Sequence, residues 1–267
     1  MPLPLHDLFR RPKPIVAVLH VGPTPGVPSK HRLGCAASVR CAVDRAVAET
    51  KLLVELGVDG FLVENAHDVP AVGAEEAGPE LVAYMTRVCA AVKRHAGRLP
   101  VGVRIMGGAD RVAIAVAHAI DGDFVRAERW AHDAEHAGRL LRYRARIGAD
   151  TLPILADLRA EDEDEAVALA HRAAEHRADG LVVLGPALGQ PPAPEPLHAI
   201  LGASELPVFA GGGLDSDNLL DFADAADGFL VGSALKENAQ WRAPVCERRV
   251  RALIGAVEYA RGQEVCQ

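Results

Sequence analysis

Aromatic side chains make up only 4% of this chain, and lysine is scarcer still, with Lys13, Lys30, Lys51, Lys93 and Lys236 its five occurrences. Few aromatics means few platforms on which nucleobases could stack. Basic charge is short as well. The balance of 29 basic against 36 acidic residues leaves a net charge of -7, with no basic field to attract DNA or RNA. The five cysteines (Cys35, Cys41, Cys89, Cys246, Cys266) are odd in number and form no CxxC pair. A disulfide framework and a zinc knuckle are therefore not expected, and a reducing compartment is. No run approaches the roughly 20 apolar residues of a membrane span, so direct membrane insertion is not expected. Met1–Asp7 contains no apolar stretch of the signal-peptide kind. A soluble, cytoplasmic protein is the expectation.

What the chain does contain is 49% hydrophobic residues, distributed as short apolar runs. They fall at Ile15–Leu19, Gly60–Val63, Val101–Ile105, Asp123–Ala127, Pro153–Ala156, Gly180–Leu184, Pro207–Ala210 and Gly228–Val231. Each is too short for a helix and nearly continuous in apolar residues, as a strand buried on both faces reads. Helical periodicity separates them, for example Ala166, Leu169, Ala170 and Ala173, or Val250, Leu253, Ile254 and Val257. Alternating strand and helix imply a parallel sheet. Eight units in 267 residues imply an α/β fold, a (β/α)8 TIM barrel filling residues 1–267 as a single domain. A doubly wound open sheet is the rival, but no G-x-G-x-x-G follows the first strand. Turns such as Gly57-Val58-Asp59-Gly60 and Ala226-Asp227-Gly228 read as structural helix-to-strand connections at the barrel bottom. No repeat longer than one strand–helix unit is visible. Two long loops, Val21–Arg40 and Ala66–Gly78, have the length of lids.

Active sites of this fold lie at the C-terminal strand ends. There the sequence places His20, Glu64 with Asn65, Arg104, Arg126 with Glu128, and Asp157. So many polar groups ending apolar strands point to a ligand pocket, because burying them is costly unless they are used or paired. His20, Glu64 and Asp157 are candidates for acid–base work, and Asn65, Arg104, Arg126 and Glu128 for substrate binding. The seventh and eighth runs end in Gly211-Gly212-Gly213 and Gly232-Ser233. Glycines there let backbone N–H groups approach an anion, the usual phosphate position of a barrel. A phosphorylated small molecule is the expected partner. Lys236 could reach that phosphate or stand in solvent. No cofactor is required by the sequence, but a divalent metal on Glu64 and Asp157 stays open. No lysine sits on strands 2 to 7, which disfavours a Schiff-base aldolase. The acidic run Glu161–Glu165 reads as a solvated helix start. A homo-oligomer is expected from the general habit of such barrels.

Several blocks resemble one family. Lys13-Pro14-Ile15-Val16-Ala17-Val18-Leu19-His20, followed by Pro23-Thr24-Pro25-Gly26, is similar to the opening of BtpA/SgcQ-type proteins, and Gly57 through Asn65 with Asp68 and Pro70 is similar to their next block. Further similarities run through Gly78-Pro79-Glu80, Phe124-Val125-Arg126, Leu141-Arg142-Tyr143-Arg144 and Ala226 through Ser233. The resemblance implies a TIM barrel. The family is named for photosystem I biogenesis, whereas other members look like enzymes of sugar-related operons. Two functions are therefore in competition: an isomerase, epimerase or lyase of a phosphorylated metabolite, which the strand-end residues favour, and a non-catalytic stability factor for a membrane complex, which the family name implies. This chain departs from the family pattern at Arg104 and the Met106–Asp110 run, at Glu128, and at Arg159-Ala160-Glu161. All three are pocket positions.

Overall fold

The computed structural model describes residues 8–27 and 38–264. Residues 28–37, the middle of the first expected lid, lie outside the described residues, as do Met1–Asp7, Lys30, Cys35 and Cys266. Eight parallel strands close into a barrel in sequence order. They are β1 (Ile15–His20), β2 (Gly60–Glu64), β3 (Val101–Arg104), β4 (Phe124–Ala127), β5 (Ile154–Leu158), β6 (Gly180–Leu184), β7 (Val208–Gly211) and β8 (Gly228–Val231). β1 closes on β8 through Val16 opposite Leu230 and Ala17 opposite Val231. The expected runs and the observed strands agree to within two residues at each end.

Among the described residues seven α-helices surround the barrel: α1 (Val39–Leu56), α2 (Pro79–His95), α3 (Asp110–Ala119), α4 (Ala134–Arg146), α5 (Glu163–Glu175), α6 (Pro194–Ala203) and α7 (Glu247–Glu264). After β7 the expected helix is replaced by a single 3-10 turn, Leu219–Phe222. The cause is local. The Asp215 carboxylate accepts from the backbone N–H of Asp217 (2.9 Å) and Asn218 (3.3 Å), and the Asn218 amide returns a hydrogen bond to Gly213 O, which curls the chain into a turn. The acidic run behaves as expected: Asp162 caps α5 by accepting from Glu165 N.

Alternation along each strand divides the core in two. Ile15, Ala17, Leu19, Phe61, Val63, Val125 and Ala156 pack outward against the helices. Val16, Val18, Leu62, Phe124, Leu155, Val182, Phe209 and Leu230 fill the barrel. Phe9 plugs the bottom, with its ring centroid 6.1 Å from Phe124 and 5.7 Å from Phe209. Gly102 makes this possible, since a Cβ there would lie 2.2 Å from the Phe124 ring.

The bottom turns carry a repeat that the sequence did not disclose. The carboxylates of Asp59, Asp123, Asp179 and Asp227, each preceding an even-numbered strand, accept from the first N–H of the odd-numbered strand before it: Ile15, Val101, Ile154 and Val208. The aspartate N–H donates back to the same residue's carbonyl each time. The barrel is thus clasped as four strand pairs.

Candidate active site

Strand parity sets which side chains reach the barrel mouth. Counting in twos from the interior residues, the last inward positions of the first five strands are His20, Glu64, Arg104, Arg126 and Asp157. Those of β6 and β7 are Leu184 and Gly211, and Gly232 follows β8 in the same phase. A polar arc therefore faces an uncharged one of Leu184 and two glycines.

The arc is tightly paired. Arg104 Nη1 donates to Glu64 Oε2 at 2.9 Å and its Nη2 donates to Glu128. Arg126 clasps Asp157 with two bonds, Nε to Oδ1 at 2.6 Å and Nη2 to Oδ2 at 3.1 Å. Glu64, Arg104, Arg126 and Asp157 are nearly sealed from water, so their mutual charges act at low dielectric. Burial alone would push the Glu64 carboxyl up. Arg104, His20 and Arg126 outweigh it and hold Glu64 below the usual carboxylate range. The same pairing holds Arg104 above its ordinary value despite its burial.

His20 is fixed differently. Its Nδ1 lies 3.0 Å from the backbone carbonyl of Trp241. A carbonyl only accepts, so Nδ1 carries the proton and Nε2 is left as the exchangeable nitrogen. Nε2 stands 3.6 Å from Glu64 Oε1. Gly232 leaves room for the ring: a Cβ at that residue would lie 2.8 Å from Nε2.

These groups open into a cavity of about 310 Å³. Its wall includes His20, Glu64, Arg104, Arg126, Gly212, Gly213, Gly232 and Ser233 from the expected set. Asn65, Glu128, Asp157 and Gly211 stand behind that wall. Asn65 has the opposite strand parity. Its amide donates to Asp68 (2.7 Å) and accepts from Met106 N (2.8 Å), tying the loop after β2 to the loop after β3. Lys236 corrects both expectations for it. It is neither on the cavity nor in solvent, but is 1% exposed and bonded to Glu49 of α1 at 2.7 Å. Burial lowers its pKa, and Glu49 opposes that shift.

Gly212 and Gly213 have φ of 82° and 64°. Part of their role is packing, since a Cβ on Gly213 would lie 2.4 Å from Pro191 N in the loop after β6. Their open side faces the cavity beside the 3-10 turn Ser233–Leu235, whose first N–H groups have no partner within the turn. For a metal the donor set fits poorly. Both Asp157 oxygens and one Glu64 oxygen are occupied by arginines, and among the described residues no three His, Cys, Asp or Glu side chains converge.

Trp241 and Leu188 are among the wall residues that the strand-end count did not single out, and Arg159 was named only as a departure from the family pattern. Arg159, past the end of β5, donates to the carbonyl of Gly185 rather than to a carboxylate. Burial lowers its pKa, with Arg126 and Arg104 adding to the effect and Asp157 and Glu128 opposing it. Trp241 comes from the segment between β8 and α7, and Leu188 from the loop after β6. Trp241 and Leu188 have no periodic signal, whereas Arg159 is in phase with Leu155 and Asp157 of β5.

Among the described residues no helix is long and apolar enough to cross a membrane. The fold resembles (S)-3-O-geranylgeranylglyceryl phosphate synthase from Thermoplasma acidophilum, solved with sn-glycerol-1-phosphate (TM-score 0.62, 14% identity, 94% of this chain and 95% of that one). It also resembles phosphoribosyl anthranilate isomerase from Thermus thermophilus (TM-score 0.57, 13% identity, 80% and 94%). At these identities the likeness extends to the fold alone. Sequence relatives are closer. An uncharacterized mitochondrial protein of Caenorhabditis elegans is 31% identical, over 88% of this chain and 90% of its own length. The photosystem I biogenesis protein BtpA of Synechocystis is 30% identical, over 95% and 91%. The BtpA family model matches residues 11–259, and this barrel belongs to the BtpA family.

Proposed function

We propose that this barrel binds a phosphorylated small metabolite and moves a proton on it, as an isomerase, epimerase or lyase. One observation carries the reading: a single cavity joins Gly212, Gly213, Ser233 and Arg159 to the exchangeable nitrogen of His20. The glycine and serine N–H groups with the Arg159 guanidinium form the phosphate end. At the other end His20 Nε2 takes and returns the proton, and the Glu64 carboxylate stabilises the imidazolium formed on the way. Glu64 itself is a poorer base, since Arg104 holds one oxygen and keeps it ionised. Arg126 and Asp157 hold the floor of the site rigid. Two solved barrels of like fold are named for phosphorylated compounds, which is consistent with this reading.

The Synechocystis relative's name supports a second reading, a biogenesis factor for a membrane complex such as photosystem I. A factor of that kind has no use for a proton-transfer group facing an anion end. We further propose that the protein works as a homo-oligomer.

The test is to bind extract metabolites to the pure protein in D2O and measure deuterium uptake by mass spectrometry. The enzyme reading expects exchange of a carbon-bound proton in a retained phosphate ester, lost in His20→Gln. Retention of no phosphate ester, or exchange unchanged in His20→Gln, contradicts it.

A further inference from the structure

The phosphate end accounts for one side of the cavity. The other sides are lined by Val69, Met106, Leu184, Leu188, Leu230 and Trp241. Leu188 and Val69 are 74% and 54% exposed, among the few large apolar side chains that the described residues leave in water. Trp241 is held over the mouth by its own backbone, through the His20 contact, and by the His67 ring 4.7 Å away.

Among the described residues, polar groups left for a ligand are few. Arg104 is taken by Glu64, Glu128 and the Met106 sulfur, Arg126 by Asp157, and His20 Nδ1 by Trp241. Beyond the anion end there remain, among the described residues, His20 Nε2, Glu64 Oε1, Arg126 Nη1 and the Gln190 amide. Among the described residues the wall contains no Asn, Asp or Thr. A polyhydroxylated sugar enclosed here would leave several hydroxyls without partners, each a net cost. An apolar or aryl group would instead exchange water for Leu188, Val69 and the Trp241 ring.

We propose that the ligand is a phosphate monoester whose carbon part is a compact apolar or aryl group, not a polyhydroxylated sugar. This deepens the anion-site reading and rests on it. The cavity of about 310 Å³ limits the carbon part to about the size of one substituted ring. Trp241 and Leu188 recognise that part, and the phosphate orients it against His20.

Calorimetric titration with inorganic phosphate, phenyl phosphate and ribose 5-phosphate tests this directly. Phenyl phosphate should bind about tenfold tighter than inorganic phosphate, the gain of burying one ring. Ribose 5-phosphate should stay within about threefold of inorganic phosphate. Trp241→Ala removes the ring but keeps the carbonyl that fixes His20, and it should abolish the phenyl gain while leaving inorganic phosphate binding intact. Leu188→Asp, at an exposed position, should reduce the gain without endangering the fold. Two outcomes overturn the proposal alone: phosphate binding with no phenyl gain, or ribose 5-phosphate binding tighter than phenyl phosphate. If none of the three compounds binds, the anion-site reading falls with it.

Discussion

The backbone carbonyl of Trp241 sits 3.0 Å from His20 Nδ1, so a loop after the last strand fixes the tautomer of a histidine on the first. The exchangeable Nε2 is thereby presented to the cavity and to Glu64. In 15N-histidine NMR, neutral His20 should appear as the Nδ1–H tautomer, and Trp241→Ala should not change this, because the acceptor is main chain. An Nε2–H form would remove His20 as the proton carrier. His20→Gln should abolish deuterium exchange while costing only about 1 kcal/mol of stability, the usual worth of one hydrogen bond.

Asp157 should behave in the opposite way. Both its oxygens are clasped by Arg126 inside the barrel. Asp157→Ala leaves a buried guanidinium unpaired and should cost about 3–5 kcal/mol in urea unfolding. Arg126→Met with Asp157→Leu should recover most of that loss. A single variant of unchanged stability would mean that Asp157 is held for chemistry instead.

The Lys236–Glu49 pair joins the segment after β8 to α1. Arg45 bonds the same Glu49 at 3.0 Å and also reaches the carbonyls of Arg242 and Ala243. Lys236→Met should cost about 3 kcal/mol, as breaking a buried pair does, and leave phosphate affinity unchanged. A phosphate Kd weakened tenfold at unchanged stability would restore Lys236 as a ligand.

His67 supplies a pH dependence. Burial first, then Arg45, His20, Arg242 and Lys236, push its pKa down to about 4. Its Nε2 is buried without a hydrogen-bond partner. In the unfolded chain it titrates near 6.5. The stability it contributes is therefore full above pH 6.5, falls as the unfolded state takes up a proton, and is lost by about pH 4. Tm should drop across that window, and the drop should be shallower in His67→Gln. Equal slopes for the two proteins would show that His67 is not the group responsible.

The fold was legible because buried parallel strands leave apolar runs that nothing else in the chain imitates. Parity carried more than the strand ends alone. His20, Glu64, Arg104, Arg126 and Asp157 share the inward phase with Val18, Leu62, Gly102, Phe124 and Leu155, whereas Asn65 falls out of it. Applied to the sequence, that count would have set Asn65 apart. Arg159 continues the phase of Leu155 and Asp157 one residue past β5, so the same count extended beyond the strand would have found it, whereas Trp241 and Leu188 lie in loops that carry no periodicity. Lys236 was misplaced for a related reason. Its burial depends on Glu49, 187 residues earlier, and no local pattern reports a partner that distant.

The central claim is an anion site formed by Gly212, Gly213, Ser233 and Arg159 beside His20. A crystal soaked in tungstate, located by the anomalous signal of the metal, tests it most directly. A tetrahedral oxyanion is expected within hydrogen-bond distance of the Gly213 and Ser233 amides and the Arg159 guanidinium, and should be absent from a Gly212→Asp crystal. Tungstate bound only elsewhere in the native crystal would contradict it.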